Sequence, residues 1–354
     1  MNRGRPVVAL TFAYSAGETL RRCIDSVLCQ RYENLIYYIC DDGSKDNTRE
    51  IIMEYALNDS RVRPIYIDDK SRRLIDLIPD LISTILLEHE DGYFISLDAD
   101  DEYKPDFLEK MLPFVLRNDL DLAICGSDSI DTLTGDLLIR KELGYDLVLS
   151  CRDFSEKFLV YRRYIYDFWG KLYTFPVLKN ACIDCKRRRT AINGRISELF
   201  NYTALSASKR VGLLGESLHK YYIFPNSYTS RFIPGHIEAS AQVYDAARSF
   251  LLSFGEMDKI NQDYLYAIYM GQMSEILRCL FTADLLVSKK LEYVDEILSH
   301  DLMKEMLEHE ADPRFINLAG RDRFITGINE WITENGSCNG SGDSSCKGAE
   351  LDAD

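Results

Sequence analysis

Four acids stand within five residues at Asp98, Asp100, Asp101 and Glu102, directly after the apolar run Phe94-Ile95-Ser96-Leu97. Ionised carboxylates this close repel by about 1 kcal/mol per pair in water and by about 4 near a protein surface. A hard divalent cation on oxygen ligands offsets that repulsion, so Mg2+ or Mn2+ is the expected occupant. A strand that ends in a metal-ready acidic turn suits the diphosphate of an activated donor. Two other polar clusters follow apolar runs in the same way, Thr11 to Tyr14 and Asp41-Asp42-Gly43-Ser44. Taken singly, Asp-Asp-Gly-Ser is a turn and helix cap. Three such clusters, each at the end of a strand, describe a pocket.

The elements that must hold these residues alternate between strand and helix signals. Strands are predicted at Val7–Phe12, Leu35–Cys40, Val62–Ile67, Tyr93–Leu97 and Leu122–Cys125. Helices are predicted between them at Thr19–Gln30, Thr48–Leu57, Leu74–Leu87 and Pro105–Leu116. That rhythm gives an α/β fold with a mostly parallel central sheet and helices on both faces. Ligands of such a sheet bind beyond the carboxyl ends of the strands, where the three clusters fall. Leu137 to Tyr228 is mixed, with short strands at Val211–Leu214 and His219–Phe224 and a helix near Ile196–Ser206. Helices then dominate, at Ala239–Phe254, Gln262–Phe281, Leu291–Glu308 and Asp322–Thr333. The Gly-, Ser- and Asp-rich stretch 335–354 reads as a disordered tail.

The chain has 354 residues, enough for one large domain or two ordinary ones. Its net charge of −15 disfavours a nucleic-acid partner and gives no general attraction to anionic lipid. The basic run Lys186-Arg187-Arg188-Arg189 is a local exception that fits a solvated loop better than a phosphate contact. No apolar run approaches the roughly 18 residues of a spanning helix, and no apolar leader precedes Val7. A cytoplasmic protein is expected, with peripheral association at the inner face of a membrane, or homo-oligomerisation, left open. Ten scattered cysteines read as reduced core residues, and Cys182-Ile183-Asp184-Cys185 is one CxxC without a second. The first strand-to-helix turn, Ala13-Tyr14-Ser15-Ala16-Gly17-Glu18, lacks GxGxxG, which argues against a dinucleotide dehydrogenase.

Several segments, in order and near the usual spacing, resemble the family 2 glycosyltransferases of the GT-A fold. They are Val8-Ala-Leu-Thr11-Phe-Ala-Tyr14, Ser26-Val-Leu-Cys-Gln30, Asp41-Asp42-Gly43-Ser44-Lys-Asp46-Asn-Thr48, Leu97-Asp98-Ala-Asp100-Asp101, Pro105-Asp-Phe-Leu108 and Trp169-Gly170-Lys171-Leu172-Tyr173. The resemblance spans about Val7 to Arg231. It implies a Rossmann-like GT-A domain over 1–235, with a nucleotide-binding half 1–130 and an acceptor half 131–235; the helical pattern beyond it marks a separate C-terminal region, 236–334. It further implies an inverting transfer from a UDP-sugar donor to a saccharide or lipid-linked saccharide, using a divalent metal.

By that resemblance Thr11 and Asp42 recognise the nucleobase edge and Tyr14 stacks on the base. Asp100 and Asp101 contact ribose and metal, with Asp98 in support, and Arg72 or Arg73 (Lys70 competing) helps hold the nucleotide. Trp169 and Lys171 fall on the acceptor side. His219 is in reach of the metal or diphosphate on this reading, although a lone histidine is more often a packing residue. Arg231 follows the closing strand. The catalytic base is an Asp at the start of the helix after Trp-Gly-Lys in the family, whereas here the stretch reads Arg195-Ile-Ser197-Glu198-Leu-Phe200. Ser197 occupies the Asp position and Glu198 is the candidate base, one residue or about 100° around the helix. That departure supports a second expectation, a catalytically silent nucleotide-sugar-binding or scaffold protein.

Overall fold

Val7, Val8, Ala9 and Leu10 have no polar face to offer water, and the strand they form is buried on both sides, as parallel strands are. In the computed structural model of the protein, which describes residues 4–68, 74–187, 195–224, 231–310, 312, 314–315 and 321–336, this strand sits inside an extended sheet. β1 (Val7–Ala13) lies between β2 (Leu35–Asp41) and β4 (Tyr93–Ser96), parallel to both, and β3 (Val62–Tyr66) extends β2. The crossovers are α1 (Leu20–Leu28), α2 (Thr48–Asn58) and α3 (Leu74–Leu87). Leu20, Cys23, Ile24 and Val27 recur at helical spacing and form the buried face of α1.

Beyond β4 the sheet becomes mixed. After the short β5 (Glu102–Tyr103) and α4 (Phe107–Asn118) comes β6 (Leu122–Asp131), and the antiparallel β9 (Lys171–Thr174) is inserted between β4 and β6. β10 (Val211–Ile223) runs parallel to β6 and pairs antiparallel with β5. Two hairpin strands, β7 (Leu137–Lys141) and β8 (Leu147–Leu149), flank β6 and β10. The full order is β3-β2-β1-β4-β9-β6-β10-β5. Thus the α/β expectation holds, with Trp169-Gly170-Lys171 brought into the middle of the sheet by a strand that the sequence pattern did not announce.

The two short strands expected near 211 and 219 are one strand, bent by irregular register between Leu213 and His219. This bend lets β10 pair with β8 at one end and β5 at the other. Short helices α5 (Asp153–Glu156) and α6 (Phe158–Tyr161) precede β9, and α7 (Phe175–Arg187) and α8 (Ile196–Ala207) follow it.

The chain divides into two compact units, Met1–Leu265 and Tyr266–Asp354, so the first unit extends past the boundary of 235 expected from sequence. The reason is α9 (His236–Leu252), whose Phe250 meets Phe154 edge-on at 5.6 Å and Tyr202 of α8 at 6.1 Å. α10 (Lys259–Thr282) crosses the boundary. In the second unit the helix expected over Leu291–Glu308 is two helices, α11 (Val287–Ser299) and α12 (Asp301–Glu308). His300 separates them in extended conformation and caps α12, its Nδ1 accepting from the Leu302 N–H at 3.3 Å. α13 (Arg321–Gly336) is the last described element, and the expected tail beyond it lies outside the described residues. Among the described residues no helix is long and apolar enough to cross a membrane.

One close approach tests the packing of the sheet. A Cβ at Gly212 of β10 would sit 2.3 Å from Leu120 Cδ1 and 2.5 Å from Phe114 Cε1. Gly212→Ala should therefore lower stability by about 1–3 kcal/mol through overpacking, read as a reduced urea midpoint at unchanged slope.

Candidate functional site

The turn after β2 is built by its own acids. Asp41 is fully buried; its Oδ1 accepts from the Ser44 N–H at 2.9 Å and its Oδ2 from Arg49 Nε at 2.8 Å. Gly43 takes φ +68°, which favours glycine. The rest of the motif ties down the loop after β1. Ser44 Oγ accepts from the Ser15 N–H at 2.9 Å, Thr48 Oγ1 from Ala16 at 2.8 Å and Asp46 Oδ2 from Gly17 at 2.9 Å. Asp42 stays part-exposed beside this tie, and its N–H donates to the Ala13 carbonyl at 2.9 Å. Tyr14 is 58% exposed just past the end of β1. Thr11 departs from its expected place. It is fully buried, with Oγ1 2.8 Å from Tyr37 Oη and 3.7 Å from Cys23 Sγ, so its side chain faces the core and not a nucleobase. Lys70, Arg72 and Arg73 lie outside the described residues.

The acidic turn after β4 is clamped from two sides. Arg22 of α1 donates from Nη2 to the Asp100 carbonyl at 2.6 Å, while its guanidinium lies over the Tyr222 ring at 3.7 Å. The Tyr222 N–H in turn donates to Asp101 Oδ1 at 3.0 Å. Asp101 is fully buried. Burial, then the Asp100 carboxylate, pushes its carboxyl well above the usual range. Asp98 is touched by water yet crowded by protein, and crowding followed by Asp101 and Asp100 pushes it up too. Asp100 is also raised, chiefly by desolvation. A cation among these groups would reverse each of those pushes.

His219 of β10 completes the floor. Its register opposite Ser127 of β6 and Tyr103 of β5 fixes it in the sheet, where it is fully buried. Nδ1 lies 3.0 Å from Ser127 Oγ; in the Nδ1–H tautomer Ser127 accepts and the Nε2 lone pair is free, and in the Nε2–H tautomer Ser127 donates. Nε2 stands 3.3 Å from Asp101 Oδ2, but without hydrogen-bond alignment, and both atoms are buried with no hydrogen-bond partner. Burial holds the ring neutral, at a pKa of about 3. Two electron-pair donors facing each other across that gap fit one divalent cation, for which neighbouring ligands of an octahedron stand about 3 Å apart. Among the described residues no group of three or more His, Cys, Asp or Glu side chains is arranged to hold a metal ion.

Trp169 and Lys171, expected on the acceptor side, take different places. The Trp169 ring stacks flat on His219, with centroids 3.9 Å apart at 9°. Lys171 is buried, its Nζ donating to the Asp167 carbonyl and, at 3.4 Å, to that of Trp169; burial lowers its pKa to about 7. Glu198 is not the exposed helix carboxylate a base requires. It is 3% exposed, bonded to Arg162 Nη2 and 3.6 Å from Arg195 Nη1. Ser197 beside it is part-exposed, and Arg231 is exposed. Sequence reasoning missed Arg22, which carries no local signal, and Asp167, whose position two residues before the Trp-Gly-Lys segment was one. Asp167 is 35% exposed on its side chain and pairs with Lys141 at 3.3 Å.

An open sheet with a clamped acidic turn, an orphaned Asp-His pair and a polar ledge at its carboxyl edge is an α/β architecture whose candidate ligand site lies at that edge. The sequence model of glycosyl transferase family 2 matches residues 9–182, and over that stretch the chain carries the sequence pattern of that family. It is 23% identical over 323 residues to EpsJ of Bacillus subtilis (strain 168), named an uncharacterized glycosyltransferase, covering 90% of each chain. It is 25% identical over 270 residues to YibD of Escherichia coli (strain K12), also named an uncharacterized glycosyltransferase, covering 75% of this chain and 73% of YibD. Among solved structures, S. aureus TarS 1–349 in complex with UDP aligns with 93% of this chain and 82% of its own at 14% identity and a TM-score of 0.48, too distant to carry functional meaning.

Two outcomes follow from the buried charges. Glu198→Gln should cost about 3–5 kcal/mol of stability by leaving Arg162 buried and unpaired, measured by urea unfolding. Lys171 has a folded pKa near 7 against 10.5 unfolded, so the unfolded state binds the extra proton between those values and stability rises with pH across that window. Lys171→Met should flatten that rise, checked by melting temperatures from pH 7 to 10.

Proposed function

We propose that the chain is an inverting, metal-dependent glycosyltransferase that takes a UDP-sugar and passes a hexosyl or N-acetylhexosaminyl group to a saccharide or lipid-linked saccharide. The observation that carries this reading is the buried, unpartnered pair Asp101 Oδ2 and His219 Nε2 at 3.3 Å, under the acidic turn. Asp101 and His219 would hold Mn2+ or Mg2+, with Asp100 and Asp98 beside them. The cation, when bound, neutralises charge gathering on the departing diphosphate. Asp42 and Tyr14 stand at the ledge where the nucleobase would lie. The acceptor hydroxyl loses its proton to a carboxylate as its oxygen attacks the anomeric carbon, and the bond from that carbon to the diphosphate breaks on the opposite side. Asp167 is the carboxylate we assign to that proton, since both oxygens of Glu198 face arginines.

The engaged state of Glu198 also favours a second reading, a nucleotide-sugar-binding protein without turnover. Calorimetry with UDP should show Mn2+-dependent binding that weakens by more than tenfold in Asp101→Asn and in His219→Phe, which keeps the stack on Trp169. Unchanged affinity in both variants would sink the metal assignment. UDP release from a panel of UDP-sugars, lost in Asp167→Asn, supports transfer; binding of a donor with no release from any donor and acceptor pair supports the silent protein.

A further inference from the structure

A cluster of two arginines around one carboxylate lies at the start of α8, and its charges do not balance. Arg162, 1% exposed, bonds Glu198 through Nη2, and Arg195 faces the other oxygen of Glu198 at 3.6 Å. Two guanidinium groups and one carboxylate leave one net positive charge in a chain whose total is −15. The donors are also unspent. Arg162 Nε and Nη1 and Arg195 Nε are buried without a hydrogen-bond partner. A buried donor left unmade costs about 1–3 kcal/mol, and more when it is charged.

These groups converge on the first turn of α8. Glu198 lies in that turn, and Arg195 is its N-cap in left-handed conformation (φ +52°), its own side chain making no capping hydrogen bond. The first N–H groups of a helix point outward and, with the helix dipole, favour an anion. Ser197 adds a part-exposed hydroxyl. The Arg195 side chain keeps 20% of its surface exposed, and Tyr166, whose ring lies 3.9 Å from the Arg162 guanidinium, is part-exposed, so the cluster opens to solvent on this rim.

We infer that this cluster is an anion-binding subsite and that the acceptor carries a phosphate or carboxylate group there. The loop that leads from Arg162 to Trp169 connects the subsite to the donor floor. Asn201 of α8 fastens it, donating from Nδ2 to the carbonyls of Ile165 and Asp167 at 2.7 Å each. Ser197, at the position where the family carries an acid, removes a charge that would repel such an acceptor. The inference rests on the transferase reading only in naming the bound molecule an acceptor; the anion site itself stands on Arg162, Arg195 and the α8 turn.

Calorimetry on the full chain with UDP and Mn2+ present, at constant ionic strength, tests it with three probes: inorganic phosphate, glucose 1-phosphate and methyl glucoside. Glucose 1-phosphate should bind more tightly than inorganic phosphate, and methyl glucoside should not bind. Arg195→Gln, which keeps the Arg162–Glu198 bond, should weaken glucose 1-phosphate at least tenfold while UDP affinity holds, and Arg195→Lys should recover part of the loss. A melting curve shows that each variant is folded. No phosphate binding in the wild type, or binding unchanged in Arg195→Gln, overturns the subsite. Inorganic phosphate binding as tightly as glucose 1-phosphate overturns the acceptor assignment. Failure of UDP binding with phosphate binding intact overturns the transferase reading and leaves the subsite standing.

Discussion

Burial of carboxylates at the carboxyl edge of the sheet, with mutual repulsion added at Asp98 and Asp101, is the constraint around which this structure is arranged. Asp98, Asp100 and Asp101 all have raised pKa values, and each neighbouring element answers that cost. Arg22 reaches across from α1 to the Asp100 carbonyl, and β10 supplies the Tyr222 N–H to Asp101. What these partners leave unsatisfied is Asp101 Oδ2, opposite the unpaired Nε2 of His219. A neutral histidine and a buried carboxylate oxygen cannot satisfy each other without a proton or a cation between them. The floor thus carries a shortfall in its own hydrogen bonding, which a proton or a cation between the two atoms would make good.

The sheet topology makes that floor possible. Asp101 follows β4, His219 lies on β10 and Trp169 precedes β9. β9 runs opposite to β4 and β6, so the residues just before it arrive at the edge where β4 ends. Trp169 then stacks on His219, and Tyr103 meets the same ring edge-on at 5.7 Å while its hydroxyl donates to the Ser96 carbonyl at 2.6 Å. A residue more than a hundred positions from the acidic turn is thereby fixed within bonding distance of it.

On the other side of the site the charge changes sign. The arginines around Glu198 enclose the carboxylate that the family resemblance offered as the base. The same carboxylate cannot hold two buried guanidinium groups and also be released to accept a proton without a large loss of electrostatic stabilisation. The two regions therefore differ in chemical character, carboxylates crowding at the edge of the sheet and guanidinium groups at the start of α8.

Much of this was legible in the chain. Apolar runs of strand length ending in Asp-Asp-Gly-Ser and Asp-Ala-Asp-Asp fixed the α/β rhythm and the polar edge, because burial on both faces and turn chemistry are local properties. The family resemblance through residues 9–182 stood on those same local motifs. The direction in which Thr11 points, the insertion of β9 and the pairing of Glu198 were not legible. Each depends on partners far away in sequence: Tyr37 for Thr11, β4 and β6 for Lys171, Arg162 for Glu198. The single strand β10 was hidden by its own irregular register, and the joint at His300 by a cap that needs only one side-chain bond. Sequence alone determined which groups the site could draw on, since residue type sets charge and donor capacity. The tertiary structure decided which of them face each other, since hydrogen bonding and desolvation depend on distances that only packing sets.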